Sequence, residues 1–222
     1  MTGSLKTRTA WLGQLARYAS TLRASNLAKH DVAVVLALVL LAAALRFYDL
    51  TGESLWYDET YSVWTSSMNI LSPLLLWRWQ VEFPLYYWLL HIWIRLFGAG
   101  EFSVRALSAC AGAVSIWPMH CLGRGLGQAY GAGRRVGVIS ALLLAVNPYH
   151  VWYSQEVRMY ALAVLTTTGS LYAFWRILHG GRWPWWATHV LLTGATFHLH
   201  YYIGWMVLAQ NVYYLAWLWR SG

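Results

Sequence analysis

The chain has 222 residues, of which 59% are hydrophobic and only 11% are charged, so it lies far outside the composition of a soluble domain. Its sixteen Trp and fifteen Tyr residues are typical of the aromatic belts where helices leave a bilayer. The net charge of +8 does not indicate a nucleic-acid partner, because the basic residues form no stripe and instead separate apolar runs. We therefore expect an all-α, polytopic bundle of transmembrane helices in contact with membrane lipids.

Residues 1–30 carry five basic residues and no acid. Trp11, Leu15 and Tyr18 share one helical face, which predicts a basic amphipathic helix lying flat on the cytoplasmic leaflet. The segment is not a signal peptide, because the apolar run begins too late and no cleavage site follows it. We expect a cytoplasmic N-terminus, since Lys and Arg are enriched on that side of membranes.

Six apolar stretches are predicted to span the membrane within one domain, residues 31–219. They are Asp31–Phe47, Val104–Leu122, Val136–Trp152, Arg158–Ile177, Trp185–Tyr201 and Tyr202–Trp219. Another apolar stretch, Leu85–Phe97, has thirteen residues. That is short of the roughly 20 that a span needs, so we interpret it as an interfacial or re-entrant helix. Asp49–Ser103 then forms a long external first loop with interfacial helices.

The segment Gly123–Gly133 contains five glycines. Their spacing matches neither a dinucleotide-binding loop nor a nucleoside-triphosphate loop, and no strand precedes them. A flexible cytoplasmic linker is the better interpretation.

Two adjacent carboxylates, Asp58 and Glu59, follow the first predicted span. Neighbouring acids at a membrane–water boundary bring no obvious stability, so they are the first candidates for chemistry. A carboxylate can take a proton from an acceptor hydroxyl or amine. A solvated pair of loop acids is an equally weighted alternative when the pair is considered alone.

The predicted outer face collects further polar side chains. They are Glu82, Arg105, Tyr153, Gln155, Glu156, Arg158, His198 and His200. Guanidinium groups can hold and neutralise a phosphate leaving group. Singly, the arginines are better explained as interfacial anchors and the histidines as hydrogen-bonded side chains. Together with an aromatic vestibule, the set fits glycosyl transfer from a polyprenyl phosphate.

Four segments, in order along the chain, resemble bacterial membrane glycosyltransferases of the GT-C superfamily, the family of dolichyl-phosphate-mannose-protein mannosyltransferases and aminoarabinose transferases. They are Trp56–Thr60, Phe83–Gly98, Glu101–Arg105 and Asn147–Ala161. The combination of the Asp-Glu pair with the Ser-Gln-Glu-x-Arg-x-Tyr run is specific. The resemblance implies a polyprenyl-phosphate-linked sugar donor and a site at the external face of the plasma membrane.

The resemblance also implies roles for single residues. Asp58 would be the catalytic base, with Glu59 beside it in the acceptor site. Arg105 and Arg158 would hold the lipid phosphate. The other residues implied in the donor pocket are Tyr153, Gln155, Glu156, His200 and Tyr201.

One position departs from the commonest form of the family. Many relatives have Asp-x-His-Pro-Pro before the interfacial helix, whereas this chain has Gln80–Pro84 with Glu82 at the histidine position. The aminoarabinose transferases also carry a glutamate there, so Glu82 is a candidate for binding the acceptor or a divalent metal. Glu82 and His200 are weak grounds for a shared metal, because two ligands without defined spacing do not specify one.

The resemblance predicts an inverting transfer to an acceptor that the sequence leaves open among protein, glycan and lipid. Family members usually continue with more spans, so the chain corresponds to the N-terminal portion of such an enzyme. A fragment, a truncated gene and a module that needs a partner chain are the alternatives that the sequence leaves open. The alternative is a catalytically incomplete homologue acting as a membrane scaffold or lipid-binding subunit. A small transporter ranks last, since the sequence shows no clear mid-bilayer ionisable residues or paired interrupted helices.

Overall fold

The computed structural model describes residues 29–71 and 84–221. The predicted amphipathic N-terminus, apart from its last two residues, and the candidate Glu82 lie outside these ranges. The described residues form helices and connecting loops without any β-strand. The all-α class is therefore confirmed for the described part of the chain.

The described ranges contain ten α-helices and one short 3₁₀-helix, Tyr201–Ile203. The α-helices are α1 Lys29–Phe47, α2 Tyr57–Ser67, α3 Leu85–Phe97, α4 Glu101–Val114, α5 Ile116–Gln128, α6 Gly133–Val146, α7 Pro148–Ser154, α8 Tyr160–Leu178, α9 Trp183–Phe197 and α10 Gly204–Ser221. Each predicted apolar stretch coincides with one or two of these helices. The predicted interfacial helix is confirmed as a helix with the bounds of α3.

Two helices of the described part are long and apolar enough to cross a bilayer. One is the continuous helix formed by α4 and α5, 28 residues long, and the other is α8, with 19 residues. The bent pair α6 and α7 makes a third if it counts as one span. The six spans and the external position of the first loop stay predictions.

The bend between α6 and α7 measures 58° and lies at Asn147. Pro148 has no backbone N–H with which to continue the hydrogen-bond pattern of α6. The Asn147 side chain instead accepts a hydrogen bond of 2.9 Å from the His150 backbone N–H and begins α7 as its N-cap. After this bend, the loop that follows α7 contacts the end of α1 through Gln155 and contacts α2 through Val157.

The glycine-rich segment is mostly helical, so its interpretation as a flexible linker is wrong. α5 continues through the first three of these glycines to Gln128. A Cβ atom at Gly123 would lie 2.7 Å from Ser140 Oγ, and one at Gly125 would lie 2.9 Å from the Trp175 ring. These glycines allow α5 to approach α6 and α8 closely, a contact that the local sequence does not indicate.

The largest apolar core cluster lies under the end of the bundle where α2, α3, α4 and α8 meet. Its fully buried members include Leu90, Val104 and Val157. Burying such side chains stabilises the fold by roughly 1.5–3 kcal/mol each. Val157 and Met159 of the loop between α7 and α8 belong to this cluster. Their burial holds the backbone of the loop that carries several candidate site residues.

Candidate functional site

A buried ion pair joins the acidic stretch to α4. Glu59 lies in the first turn of α2 and is fully buried. Arg105 donates from Nε to Glu59 Oε1 over 2.9 Å and from Nη2 to Oε2 over 2.6 Å. This two-bond geometry is the strongest arrangement of a guanidinium and a carboxylate. It holds α2 and α4 together, because separating the pair would leave a buried charge without a partner.

Arg105 also organises the loop between α1 and α2. Its Nη1 donates to the carbonyl oxygens of Leu50 over 2.9 Å and Glu53 over 2.7 Å. Its Nη2 reaches the carbonyl oxygen of Ser54 at 3.3 Å. All three guanidinium nitrogens of Arg105 therefore have protein acceptors, and Glu59 neutralises its charge.

Glu59 connects α2 to the loop after α7 as well. The backbone N–H of Val157 donates to Glu59 Oε1 over 2.9 Å. The backbone N–H of Trp56 donates to Oε2 at 3.3 Å, as a glutamate in the first turn of a helix commonly allows. The two most specific segments of the sequence, residues 56–60 and 154–160, thus meet at one carboxylate.

A cavity of about 600 Å³ opens beside this ion pair. Its size falls within the usual range of small-molecule sites. The wall comes from the α1–α2 loop, the ion pair and the loop after α7. The lining residues are Tyr48, Asp49, Leu50, Gly52, Glu53, Ser54, Trp56, Glu59, Arg105, Trp152, Gln155 and Glu156.

A second cavity of about 270 Å³ adjoins the first and has an aromatic, cationic wall. Its lining residues are Trp56, Tyr149, Trp152, Tyr153, Glu156, Arg158 and Tyr160. The buried Arg158 guanidinium lies 5.8 Å from the Tyr160 ring centroid, and the Tyr160 and Tyr153 rings are 4.7 Å apart. The two cavities share three lining residues, Trp56, Trp152 and Glu156. We therefore describe them as two compartments of one site.

A third cavity of about 330 Å³ begins at Tyr160 and follows one face of α8. Its lining residues are Tyr160, Ala163, Val164, Thr167, Thr168, His200 and Ile203. The His200 ring is stacked on the Tyr202 ring at 5.2 Å. The largely apolar lining shares Tyr160 with the aromatic compartment.

Glu156 is a carboxylate shared by the first two compartments. Its Oε1 accepts a hydrogen bond of 2.7 Å from the Trp152 indole N–H. Burial raises the pKa of the Glu156 carboxyl above its ordinary value, which outweighs the opposing effects of that hydrogen bond and of Arg158. The negative charges of Glu59 and Asp58 raise it further. Glu156 therefore keeps its proton to a higher pH than an ordinary glutamate does.

Asp58 lies in the first turn of α2 and is half-buried. It does not line any of these three cavities. Its carbonyl oxygen accepts a hydrogen bond of 2.9 Å from the Ser62 hydroxyl, but its carboxylate receives none from residues within 29–71 and 84–221. The Asp58 carboxylate is thus unconstrained by its described neighbours and close enough to Glu156 to affect its pKa.

Most of the predicted site residues come together around these cavities. Those that line a cavity are Glu59, Arg105, Tyr153, Gln155, Glu156, Arg158 and His200. Tyr201 begins the 3₁₀-helix, and its side chain lies outside the described part. Glu82 also lies outside the described residues, so its predicted role is not tested.

A metal site is not formed by the residues that the structure describes. Within them, no three His, Cys, Asp or Glu side chains are grouped so that they could hold an ion. The candidate role of Glu82 in binding a divalent metal is not tested, because Glu82 lies outside the described residues.

The comparison with protein families decides the family of the chain. A family model described as dolichyl-phosphate-mannose-protein mannosyltransferase matches residues 82–221, well over half of the sequence. The chain belongs to this family. Comparison with curated proteins and with solved structures finds no match.

Membership of the mannosyltransferase family confirms the resemblance seen in the sequence and implies membrane glycosyltransferase activity of the GT-C type. The matched range contains Arg105 and the segment 147–161 and begins after the Asp-Glu pair. The apolar helices agree with a membrane protein.

The sequence-based candidates for this mannosyltransferase-family chain missed several site residues. Trp56, Trp152 and Tyr160 form cavity walls. All three lie inside the family-like segments. Their positions close to Asp58, Glu156 and Arg158 in the sequence could have identified them as site residues. The fully buried Arg46 was also missed, because an arginine ending an apolar run has the pattern of an interfacial anchor.

Proposed function

We propose that the chain transfers a sugar from a polyprenyl-phosphate donor to an acceptor at the external face of the plasma membrane, with inversion at the anomeric carbon. One observation carries the proposal. Glu59 joins the two motif segments through Arg105 and the Val157 N–H, beside a two-compartment cavity. A donor and an acceptor need such a shared space if one is to attack the other.

Arg158 is the residue that we assign to the donor phosphate. It is buried and lines the aromatic compartment, where its planar donors match phosphate oxygens. Trp56 and Trp152 offer faces for a sugar ring between that arginine and the polar compartment. The third cavity begins at Tyr160 and would take the first isoprene units.

Arg105 was predicted to share the phosphate with Arg158. In the structure its nitrogens are bonded to Glu59 and to three loop carbonyls. We therefore assign to Arg105 the positioning of Glu59 and of the α1–α2 loop. Its direct role on the phosphate stays a prediction.

We assign the role of catalytic base to Asp58. Glu59 is less suited, because its oxygens already accept hydrogen bonds from Arg105 and Val157. As the acceptor oxygen or nitrogen attacks the anomeric carbon, its proton passes to Asp58. The bond between that carbon and the phosphate oxygen breaks, and polyprenyl phosphate leaves with the electron pair. A single displacement inverts the configuration.

The distribution of charge supports an external site. The described acids near the cavities include Asp49, Glu53 and Glu156, whereas Arg124 and Arg134 lie near the connection of α5 and α6 at the other end of the bundle. Basic residues favour the cytoplasmic side of a membrane protein. The cavities then open toward the opposite side.

The test combines transfer with donor binding in membranes that contain the protein and its native acceptors. Transfer of label from a radiolabelled polyprenyl-phosphate sugar gives turnover, and quenching of Trp fluorescence gives donor affinity. Asp58→Asn is expected to reduce turnover by about 100-fold or more with donor binding retained, as for a lost general base. Arg158→Ala is expected to weaken donor binding by about tenfold or more.

The controls use exposed residues of the same charge that line none of the three cavities. Glu101→Gln removes an exposed acid in the first turn of α4, and Arg95→Ala removes an exposed arginine in the last turn of α3. Both variants should behave as the wild type. Near-normal turnover of Asp58→Asn would remove Asp58 from the mechanism, and unchanged donor affinity of Arg158→Ala would remove Arg158 from the phosphate site.

The second candidate function is a lipid-binding or scaffold subunit without catalysis. One observation favours it: Asp58 lies outside the cavity linings. The same experiment separates the two functions. A wild-type protein that binds the donor and transfers no sugar would support the scaffold and contradict the enzyme.

A further inference from the structure

Arg46 is a fully buried cation in the last turn of α1, and it lines none of the three cavities. Its hydrogen-bond acceptors are carbonyl and imidazole groups rather than carboxylates. A buried charge in an apolar helix bundle is costly, which points to a specific task.

The contacts of Arg46 converge on the end of α6. Its Nη1 donates to the carbonyl oxygens of Ala42 over 2.9 Å and Ala145 over 3.1 Å. Its Nη2 donates to the carbonyl oxygen of Leu144 over 3.2 Å and contacts Nδ1 of His150. Because a guanidinium can only donate, Nδ1 of His150 accepts the hydrogen bond and carries no proton.

The carbonyls of Leu144 and Ala145 lie at the end of α6, where the bend interrupts the helical hydrogen-bond pattern. The last carbonyls of a helix have no partner within the helix. Pro148 lacks the N–H that would otherwise reach the Leu144 carbonyl. Arg46 supplies donors to Leu144 and Ala145 from a neighbouring helix and so stabilises the bent arrangement.

The loop after α7 makes the reciprocal contact on α1. Nε2 of Gln155 donates to the Tyr48 carbonyl oxygen over 2.8 Å and approaches those of Arg46 at 3.4 Å and Leu45 at 3.5 Å. These are carbonyls at the C-terminal end of α1. Each helix end is therefore capped by a side chain from the other segment.

We propose that Arg46 and Gln155 form a reciprocal clamp that positions residues 152–158 over the cavities, and that Arg46 is a positioning residue for the transfer reaction. The clamped segment contains Trp152, Glu156 and Arg158, which line the compartments. Arg46 acts through them and does not contact the substrates. The link to transfer rests on the proposed function, whereas the clamp itself does not.

Two substitutions disturb the clamp in different ways. Arg46→Lys keeps the charge, but a single ammonium group cannot bridge Leu144, Ala145 and His150 as the planar guanidinium does. Gly112→Ala leaves Arg46 in place and adds a Cβ atom 2.8 Å from its Nε, also colliding with Ser154 Oγ.

Hydrogen exchange measured by mass spectrometry in lipid nanodiscs tests the clamp without any substrate. In Arg46→Met and Arg46→Lys, we expect the amides of residues 147–158 to exchange about tenfold faster or more, because the bonds of Arg46 to His150 and to the Leu144 and Ala145 carbonyls before the bend are lost or weakened. The amides of α8 should exchange as in the wild type. Gly112→Ala should give the same local pattern, and Arg95→Met, which changes an exposed arginine on α3, should change nothing.

Unchanged exchange at residues 147–158 in Arg46→Lys would overturn the proposal. A uniform rise across all helices would also overturn it, since that result would show a general structural role. If Arg46→Met does not fold, the exchange data of Arg46→Lys and Gly112→Ala decide whether the clamp exists.

If the wild type transfers no sugar, the proposed function is wrong, while the exchange data still test the clamp. If it does transfer, Arg46→Lys should reduce kcat/KM and Arg95→Met should not.

Discussion

The two ends of the helix bundle are held together by different means. At the cavity end, Glu59 and Arg105 form bonds between segments far apart in the chain. At the other end, Gly125 lets α5 pack against Trp175 of α8, and the Arg176 guanidinium lies 4.3 Å from the Trp185 ring centroid.

The residues that line the candidate site lie at the end of the bundle that contains the buried ion pair. Buried charges stabilise only in one geometry, so they fix the positions of the loops that carry them. Close glycine packing stabilises helix contacts without placing any reactive group. Changes at the cavity end should therefore affect stability and transfer together, and changes at the other end should affect stability alone.

Among changes that test this difference between the two ends, Glu59→Gln should have the largest effect on stability and transfer. The amide keeps the shape of the side chain but removes the only carboxylate that is hydrogen-bonded to the buried Arg105 guanidinium among the described residues. We expect a loss of about 3–5 kcal/mol of stability, together with loss of transfer. Thermal unfolding in detergent measures the stability.

Glu53→Gln is the matched control for Glu59→Gln. Glu53 accepts a hydrogen bond from Arg105 through its backbone carbonyl, and the charge of its exposed side chain acts on Arg105 more weakly than that of Glu59 does. It should unfold as the wild type does. Wild-type stability of Glu59→Gln would show that the ion pair does not hold the cavity end together.

A smaller effect is expected from Gly125→Ala at the other end. The added Cβ atom would lie 2.9 Å from the Trp175 ring and force α5 and α8 apart. Such overpacking costs about 1–3 kcal/mol. Thermal unfolding should show this loss, and the folded fraction should keep wild-type kcat.

The control for Gly125→Ala is Gly194→Ala in α9, where an added Cβ atom meets nothing within 4 Å. Alanine is the better helix former, so this variant should be as stable as the wild type or more stable. A lower kcat of folded Gly125→Ala would contradict the hypothesis that changes at this end of the bundle affect stability alone.

The smallest effect concerns the pH dependence contributed by Glu156. Because the pKa of Glu156 is raised in the folded protein, the folded state binds more protons than the unfolded state between the ordinary pKa, about 4.3, and the raised one. Stability from this group is therefore present at low pH and lost as pH rises through that window. Relative to the wild type, Glu156→Gln should become more stable as pH increases.

Unfolding temperatures measured from acid to neutral pH check this expectation. Glu53→Gln again reports the general effect of removing one acid from the cavity end. A difference between wild type and Glu156→Gln that stays constant, or that changes in the opposite direction, would contradict the raised pKa.

The helical class, the family and the approximate positions of the helices could all be predicted from the amino-acid sequence. Apolar runs and helix-ending residues are local patterns, which is why Leu85–Phe97 was predicted with the bounds of the observed helix. The family-like segments likewise contain most of the residues that line the first two cavities, because residues 149–160 supply seven of them.

The different roles of these residues could not be predicted, because they depend on contacts between segments that are far apart in the chain. Local sequence does not show that Glu59 is bonded to Arg105 and Val157 while the adjacent Asp58 lies outside the cavity walls. It also does not show that Arg46 is buried. Each of these facts depends on which distant segments become neighbours, and that follows from helix packing and from the pairing of buried charges.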